Sequence, residues 1–162
     1  MEVGMKVVVE PIPPILENTK MFDAGALRFG VEYRMLNNAI VDAQFGERLK
    51  QQIGDRPRSE IDDRGVSIHV FGADAHEYLR FDCFDEGPHY HYIYPNADHQ
   101  RWVPMDAVAI GDPLTWTMAC LRNRLGPMMQ EAGGGTHVAA ADPKVVSAAL
   151  DQVEKAARLA VG

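Results

Sequence analysis

Histidines that could hold a metal ion or move a proton are concentrated between residues 66 and 99, where five of the six histidines of the chain lie. The sharpest pattern among them is His89-Tyr90-His91. Residues i and i+2 of a β-strand project to the same side of the sheet, with Cα atoms about 6.5 Å apart. Two imidazoles at this spacing can bind one ion, so the next question is which other side chains share their surface.

The segments around this pair predict how it is positioned. Residues 66–71, 77–84 and 89–94 alternate like strands, and the turn-rich gaps between them are typical of an antiparallel meander. A tight turn before His89 places Asp82 opposite His91, and a similar turn in the first gap places His69 opposite Arg80. One face then carries Ile68, Val70, Leu79, Phe81, Cys83, Tyr90, Tyr92 and Tyr94. The other face carries Ser67, His69, Phe71, Tyr78, Arg80, Asp82, Phe84, His89, His91 and Ile93.

The second face has the composition of a pocket. It contains no lysine and combines ionisable with aromatic side chains. Apolar walls around a few converging polar groups are common in small-molecule sites. We therefore expect the first face to lie under the helices and the second face to bind a ligand.

One interpretation of this face is a metal site. His89, His91 and Asp82 are the predicted ligands of one divalent metal ion, and His69 or His99 could serve as a fourth. Three protein ligands with one open position form the pattern of catalytic zinc sites. This interpretation predicts stoichiometric metal in the purified protein.

A second interpretation uses the same atoms without a metal. Asp82 orients His91 and raises its basicity, so these two residues become the predicted catalytic pair. Arg80, His69 and Tyr78 are then the predicted substrate-binding residues, with the arginine holding an anionic group. In a third interpretation the arginine and the aspartate form ordinary ion pairs, and the histidines only satisfy neighbouring polar groups. The sequence leaves all three open.

The rest of the chain predicts an α+β fold. Residues 26–36 alternate as a strand, and apolar side chains at helical spacing predict helices at about 38–53, 113–125 and 143–160. The expected architecture is a curved antiparallel β-sheet with these helices packed mainly on one face. The meander 66–94 and N-terminal strands form the sheet.

The length of 162 residues fits a single domain spanning residues 1–162. Pro11-Ile12-Pro13-Pro14 has fixed φ angles and few backbone donors, so residues 1–20 are predicted to form an extended N-terminal arm. Gly133-Gly134-Gly135 predicts a flexible linker over residues 133–141.

Charge and composition limit the partners. Twenty-three acidic residues against sixteen lysines and arginines give a formal net charge of -7, which disfavours nucleic acids and anionic membranes. No apolar run is long enough for a membrane span, and the first residues do not form a signal peptide, so we expect a cytoplasmic protein. A homo-oligomer, most simply a homodimer, or a subunit of a complex is the expected assembly.

The hypothesis from sequence is a protein that binds a small polar or anionic molecule in a pocket of histidine, aspartate and arginine, as an enzyme or as a binding protein. One divalent metal ion is its candidate cofactor. The alternative is a non-catalytic accessory or assembly subunit that uses the His/Tyr-rich meander as a protein–protein interface. Metal analysis separates the metal site from the other interpretations, and co-purification tests the accessory subunit.

Overall fold

A seven-stranded antiparallel sheet forms the centre of the protein. The structure is a computed structural model that describes residues 2–43, 46 and 60–161. Its strands are β1 (Met5–Val7), β2 (Thr19–Ala24), β3 (Leu27–Asn37), β4 (Asp62–Gly72), β5 (Glu77–Phe84), β6 (His89–Tyr92) and β7 (Gln100–Pro104). Strands β2 to β7 lie side by side in chain order as a meander. Strand β1 pairs with β7, so the first and second strands lie at opposite edges of the sheet.

Helices account for most of the rest of the described chain. They are α1 (residues 38–43), α2 (Ala107–Ile110), α3 (Pro113–Asn123), α4 (Leu125–Glu131), α5 (Gly135–Ala140) and α6 (Pro143–Val161), with a 3-10 turn at Leu16–Asn18. An Asp-Pro pair begins both α3 and α6, where Asp112 accepts a hydrogen bond from the Thr115 amide (2.9 Å) and Asp142 accepts one from the Lys144 amide (2.9 Å). The α+β class with an antiparallel sheet packed against helices is confirmed.

The two faces of the sheet have different chemistry. Helix α6 packs on β2, β3 and β4, and helix α3 packs on β5. The side chains between the sheet and these helices are apolar and buried, and they include Leu27, Phe29, Val66, Ile68, Val70, Leu79, Phe81, Met118, Leu121, Leu150 and Val153. Each such side chain stabilises the fold by about 1.5–3 kcal/mol. The opposite face carries buried charges.

Residues 8–15 of the N-terminal arm cover this charged face through main-chain carbonyl groups. The Val9 oxygen accepts a hydrogen bond from Gln100 Nε2 (2.9 Å), and the Ile12 oxygen accepts one from Arg80 Nη1 (2.7 Å). Arg34 Nη2 donates to the same Ile12 oxygen (3.2 Å). The arm therefore closes the surface that the sequence predicts as a pocket.

Two segments differ from the sequence prediction. Residues 135–140 form helix α5 instead of part of a flexible linker. Gly134 explains the difference, because a Cβ atom there would come within 2.8 Å of Met129 and 2.9 Å of Tyr78. The glycine is thus needed for close packing. The helix expected at about 113–125 ends at Asn123, and Gly126-Pro127 lies inside a separate helix, α4, where a proline in the first turn loses no intrahelical hydrogen bond.

Other predictions are met in part. The strand at 26–36 and the helix at 143–160 are present as β3 and α6, and the helix at 113–125 is α3, which ends at Asn123. Residues 38–43 of the helix predicted at 38–53 are helical, and most of its remainder lies outside the described residues. Within the described parts of the chain, no helix has the length and apolar character needed to cross a membrane.

Candidate metal centre

The hairpin of β5 and β6 places Asp82 between two histidines. Asp82 pairs with His89, and Arg80 pairs with His91. The predicted pairing of Asp82 with His91 was wrong by two residues because the connection is longer than a tight turn. The Asp63 carboxylate holds that connection open by accepting hydrogen bonds from the Glu86 and Gly87 amides (3.0 and 2.7 Å). A shift of two residues leaves every side chain on its predicted face.

The polar atoms of these three residues converge on one point. Oδ2 of Asp82 lies 3.0 Å from Nε2 of His91 and 3.1 Å from Nε2 of His89. The two imidazole rings are 4.9 Å apart and nearly perpendicular. All three side chains are buried, and one ligand atom from each lies within 4.8 Å of the others. The predicted ligands are therefore brought together.

Hydrogen bonds on the far side of each ring fix the tautomers. Nδ1 of His91 lies 2.6 Å from Oε1 of Gln100, and Nε2 of the same glutamine donates a hydrogen bond to the Val9 carbonyl oxygen. Nδ1 of His89 lies 2.7 Å from the Gly87 carbonyl oxygen. Because these oxygens only accept, both Nδ1 atoms carry hydrogen. In the neutral form of either ring the Nε2 lone pair then points toward Asp82, and such outer hydrogen bonds are typical of metal-binding histidines.

The charges of the cluster follow from burial and hydrogen bonding. Burial opposes ionisation of Asp82, but hydrogen bonds from His89 and His91 outweigh it and hold its pKa well below the usual range. Burial lowers the pKa of His91 by more than Asp82 raises it. Loss of the proton from Nε2 of His91 leaves a lone pair facing the ionised carboxylate, and these two acceptors then repel each other. Ser67 donates to Oδ1 of Asp82, which leaves Oδ2 for the histidines. A cation between Oδ2 of Asp82 and the Nε2 atoms of the histidines removes this repulsion.

His69 belongs to a neighbouring ion-pair cluster and does not reach the cavity. Its Nε2 lies 3.0 Å from Glu32, and its Nδ1 contacts Glu77. Burial lowers the pKa of His69, but the two carboxylates outweigh it, so the pKa is raised. The side chain is fully buried as a cation between two anions. Its predicted contact with a ligand is not supported by this geometry.

Arg80 pairs with the same glutamate. Its Nε and Nη2 atoms lie 3.0 and 2.6 Å from the two oxygens of Glu77, a bidentate arrangement. Burial raises the pKa of Glu77, but Arg80 and His69 outweigh it and lower the pKa to about 2. Glu77 is therefore ionised at neutral pH and neutralises both cations.

Tyr78 lies away from the predicted pocket. The register of β4 and β5 shifts at Val70/Phe71, so Glu77 pairs with Phe71 and Tyr78 is the extra residue of a β-bulge. The Tyr78 hydroxyl donates to Asp74 (2.7 Å) and lies 3.2 Å from Nε2 of His137. The predicted face of Tyr78 was wrong, and Glu77 takes its place beside Arg80.

His99 does not complete the ligand set. Its Nδ1 lies 2.8 Å from Asp98, and its ring packs on Tyr94 at 5.3 Å. The candidate centre therefore has three protein ligands among the described residues, as in sites that leave positions open for water or substrate.

A cavity of about 180 Å³ lies beside the three ligands and beneath the arm. It is lined by Val9, Glu10, Pro11, Ile12, Arg34, Leu36, Val41, Arg80, Asp82, Phe84, His89, His91 and Gln100. Sequence analysis missed Arg34, Glu32 and Gln100. The first two alternate with the core residues of β3, so the same two-residue period used for the meander could have placed them on the charged face.

Comparison with known proteins gives a family. No curated protein and no solved structure matches the chain. A family model matches residues 21–157, which contain His89, His91, Asp82, Arg34 and Arg80 and begin after the arm. The match covers most of the chain, and the protein therefore belongs to the family described as a domain of unknown function, DUF7700.

Proposed function

We propose that this protein is a metal-dependent enzyme that holds one divalent transition-metal ion with His89, His91 and Asp82 and binds a small polar or anionic molecule beside it. The observation that supports this proposal most is the convergence of two Nε2 atoms, whose lone pairs can bind a metal ion, and one carboxylate oxygen in a buried site. Both lone pairs are directed there by hydrogen bonds to Gln100 and to the Gly87 carbonyl.

The donor set suits zinc or iron(II). Two imidazole nitrogens and one carboxylate oxygen occur in catalytic zinc sites and in iron(II) sites with open positions. Two ligands at about 2.05 Å from a tetrahedral ion are about 3.3 Å apart. The observed separations of 3.0 and 3.1 Å are slightly shorter, so a small outward movement of the rings accommodates the ion.

The cavity supplies what such an ion needs for chemistry. A bound ion lowers the pKa of a coordinated water or polarises a ligand oxygen. The open positions face the cavity, where Arg34 and Arg80 attract an anionic group. The arm and the sheet limit access of bulk water. These features favour an enzyme over a purely structural metal site.

The accessory-subunit alternative has less support from the geometry. The histidine face is covered by residues 8–15 of the arm. On the opposite face Tyr90 packs on Trp116 at 5.6 Å, beneath helix α3. Neither face therefore presents the His/Tyr-rich meander to a partner chain.

The test is metal content of protein prepared without an affinity tag and reconstituted separately with zinc, iron(II), manganese and nickel. We expect one ion per chain in the wild type and a loss of at least tenfold in affinity in both Asp82→Asn and His91→Gln. His99→Gln is the matched control because that histidine lies outside the cluster, and it should bind as the wild type does. Circular dichroism confirms that each variant is folded.

Two results would contradict the proposal. One is a wild type that binds none of the four ions. The other is a Asp82→Asn variant that retains wild-type affinity. In either case, if Asp82→Asn weakens binding of the small molecule without changing metal binding, the metal-free pair of Asp82 and His91 is supported.

A further inference from the structure

Two buried arginines in the cavity converge on a single carbonyl oxygen. Nη1 of Arg80 lies 2.7 Å from the Ile12 oxygen, and Nη2 of Arg34 lies 3.2 Å from the same atom. The two side chains come from different strands, β5 and β3, and are almost completely buried. Their guanidinium groups thus form a fork that is filled by the main chain of the arm.

A neutral carbonyl is a weak occupant for this fork. Each arginine has one carboxylate partner, Glu77 for Arg80 and Glu32 for Arg34. Nη1 of Arg80 and Nη2 of Arg34 point instead to uncharged main-chain oxygens, that of Ile12 and, for Arg34, also that of Pro13 (3.5 Å). Hydrogen bonds between charged partners are about twice as strong as neutral ones. Planar guanidinium groups match the geometry of a carboxylate. The fork is therefore better suited to an anion than to the carbonyl that occupies it.

Charge balance leads to the same class of ligand. Two buried arginines (Arg34 and Arg80) and buried Asp82 line the cavity. The neighbouring cluster adds one cation (His69) and two carboxylates (buried Glu32 and nearly buried Glu77). These charges cancel, so a divalent ion adds two positive charges to a buried site. The exposed Glu10 at the rim offsets at most one of them. A buried excess of positive charge is costly unless an anion neutralises it.

We infer that the ligand is a small carboxylate whose carboxylate group replaces the Ile12 carbonyl in the Arg34–Arg80 fork, while a second oxygen of the same molecule binds the metal ion. Arg80 is the cross-strand neighbour of His91 on the same face, so both contacts fit one short molecule. The cavity of about 180 Å³ suits a ligand of a few carbon atoms. Only the second contact rests on the proposed metal site.

The test titrates metal-loaded protein with lactate, malonate and succinate, with malonamide as an uncharged control of the size of malonate. We expect calorimetry to show one binding site for at least one carboxylate and none for malonamide. Arg34→Gln should weaken that binding at least tenfold. Arg28→Gln, which changes an exposed arginine of the same strand that pairs with Asp23, should leave it unchanged.

A measurement on the wild type covers the case in which Arg34→Gln does not fold. Hydrogen–deuterium exchange at the Ile15 amide of the arm, which donates to Glu32 (3.2 Å), should become faster when the carboxylate is bound, because an arm displaced from the fork no longer holds that donor in place. Carboxylate binding with unchanged exchange in the arm would overturn the inference.

The outcomes separate this inference from the proposed function. Metal-loaded protein that binds none of the three carboxylates, or an Arg34→Gln variant that binds as tightly as the wild type, rejects the fork and leaves the metal site intact. A protein that binds no metal but binds a carboxylate through Arg34 supports the fork and rejects the metal site.

Discussion

The side-chain oxygen of Gln100 lies 2.6 Å from Nδ1 of His91 and fixes the tautomer of that ring. The nitrogen of the same amide donates to the Val9 carbonyl of the arm at 2.9 Å. One side chain therefore orients a candidate metal ligand and holds the cover of the cavity. A glutamine is well suited to this position because it has an acceptor and a donor at one end.

We predict that Gln100→Leu lowers metal affinity about 10- to 100-fold, as is typical for loss of an outer hydrogen bond to a ligand histidine. Gln100→Glu keeps the acceptor for His91 and loses the donor to Val9. It should retain most of the affinity. Competition with a metal-binding dye measures both variants, and equal losses in the two would show that the tautomer of His91 is unimportant.

Metal should stabilise the fold in proportion to its binding. At free metal about 100 times Kd, the expected gain is about 2.7 kcal/mol, which corresponds to a rise in Tm of about 5–10 °C for a chain of this size. A chelator should reverse the rise. Thermal unfolding with and without chelator measures it, and Asp82→Asn should show no difference between the two conditions. A rise that persists in Asp82→Asn would place the metal elsewhere.

Acid should weaken the ion pairs of Glu77. Its pKa falls from an ordinary 4.5 to about 2 in the folded protein because Arg80 and His69 outweigh the cost of burial. The carboxylate thus adds stability above pH 4.5 that is lost as the pH falls toward 2. Glu77→Gln should cost about 3–5 kcal/mol at pH 7, since it leaves buried cations without a partner.

The measurement for Glu77 is urea unfolding of the wild type and Glu77→Gln between pH 7 and pH 3. The difference in the free energy of unfolding should shrink as the pH falls below 4.5, because Glu77 takes up a proton in the unfolded chain while it stays ionised in the native protein down to a pH of about 2. A constant difference over this range would contradict the ionised state of Glu77 in the native protein.

Tyr78→Phe tests whether that residue has a role in binding. The hydroxyl contacts Asp74 and His137, away from the cavity. Its loss should cost about 0.5–1.5 kcal/mol of stability, as for one hydrogen bond, and leave metal and carboxylate binding unchanged. Unfolding and calorimetry on the same sample provide both values. A binding defect without a stability change would restore the predicted substrate contact.

The period of two residues along a strand explains why the candidate site could be predicted. His89, His91, Asp82 and Arg80 share a face in any register that differs by an even number of residues, so the error in turn length did not move them. The bulge at Tyr78 adds one residue and exchanges the faces of its neighbours. No local signal in the sequence marks that insertion, so Glu77 could not be placed.

Contacts between distant segments were beyond sequence reasoning for a different reason. The arm contributes carbonyl groups of Val9 and Ile12, which every residue possesses, so no side-chain pattern identifies them. Strands β2 and β7 were also missed; both are short edge or near-edge strands whose pairing depends on tertiary context.

The positions of β1 and β2 at opposite edges of the sheet restrict how the cavity can open. Six spacings of about 4.8 Å make the sheet about 29 Å wide, and the eleven residues 8–18 span at most about 36 Å when fully extended. This strap therefore has little slack and is fastened at both ends. Since β1 is held by three residue pairs and β2 by six, we expect the β1 end of the strap to detach first when the strap moves off the cavity.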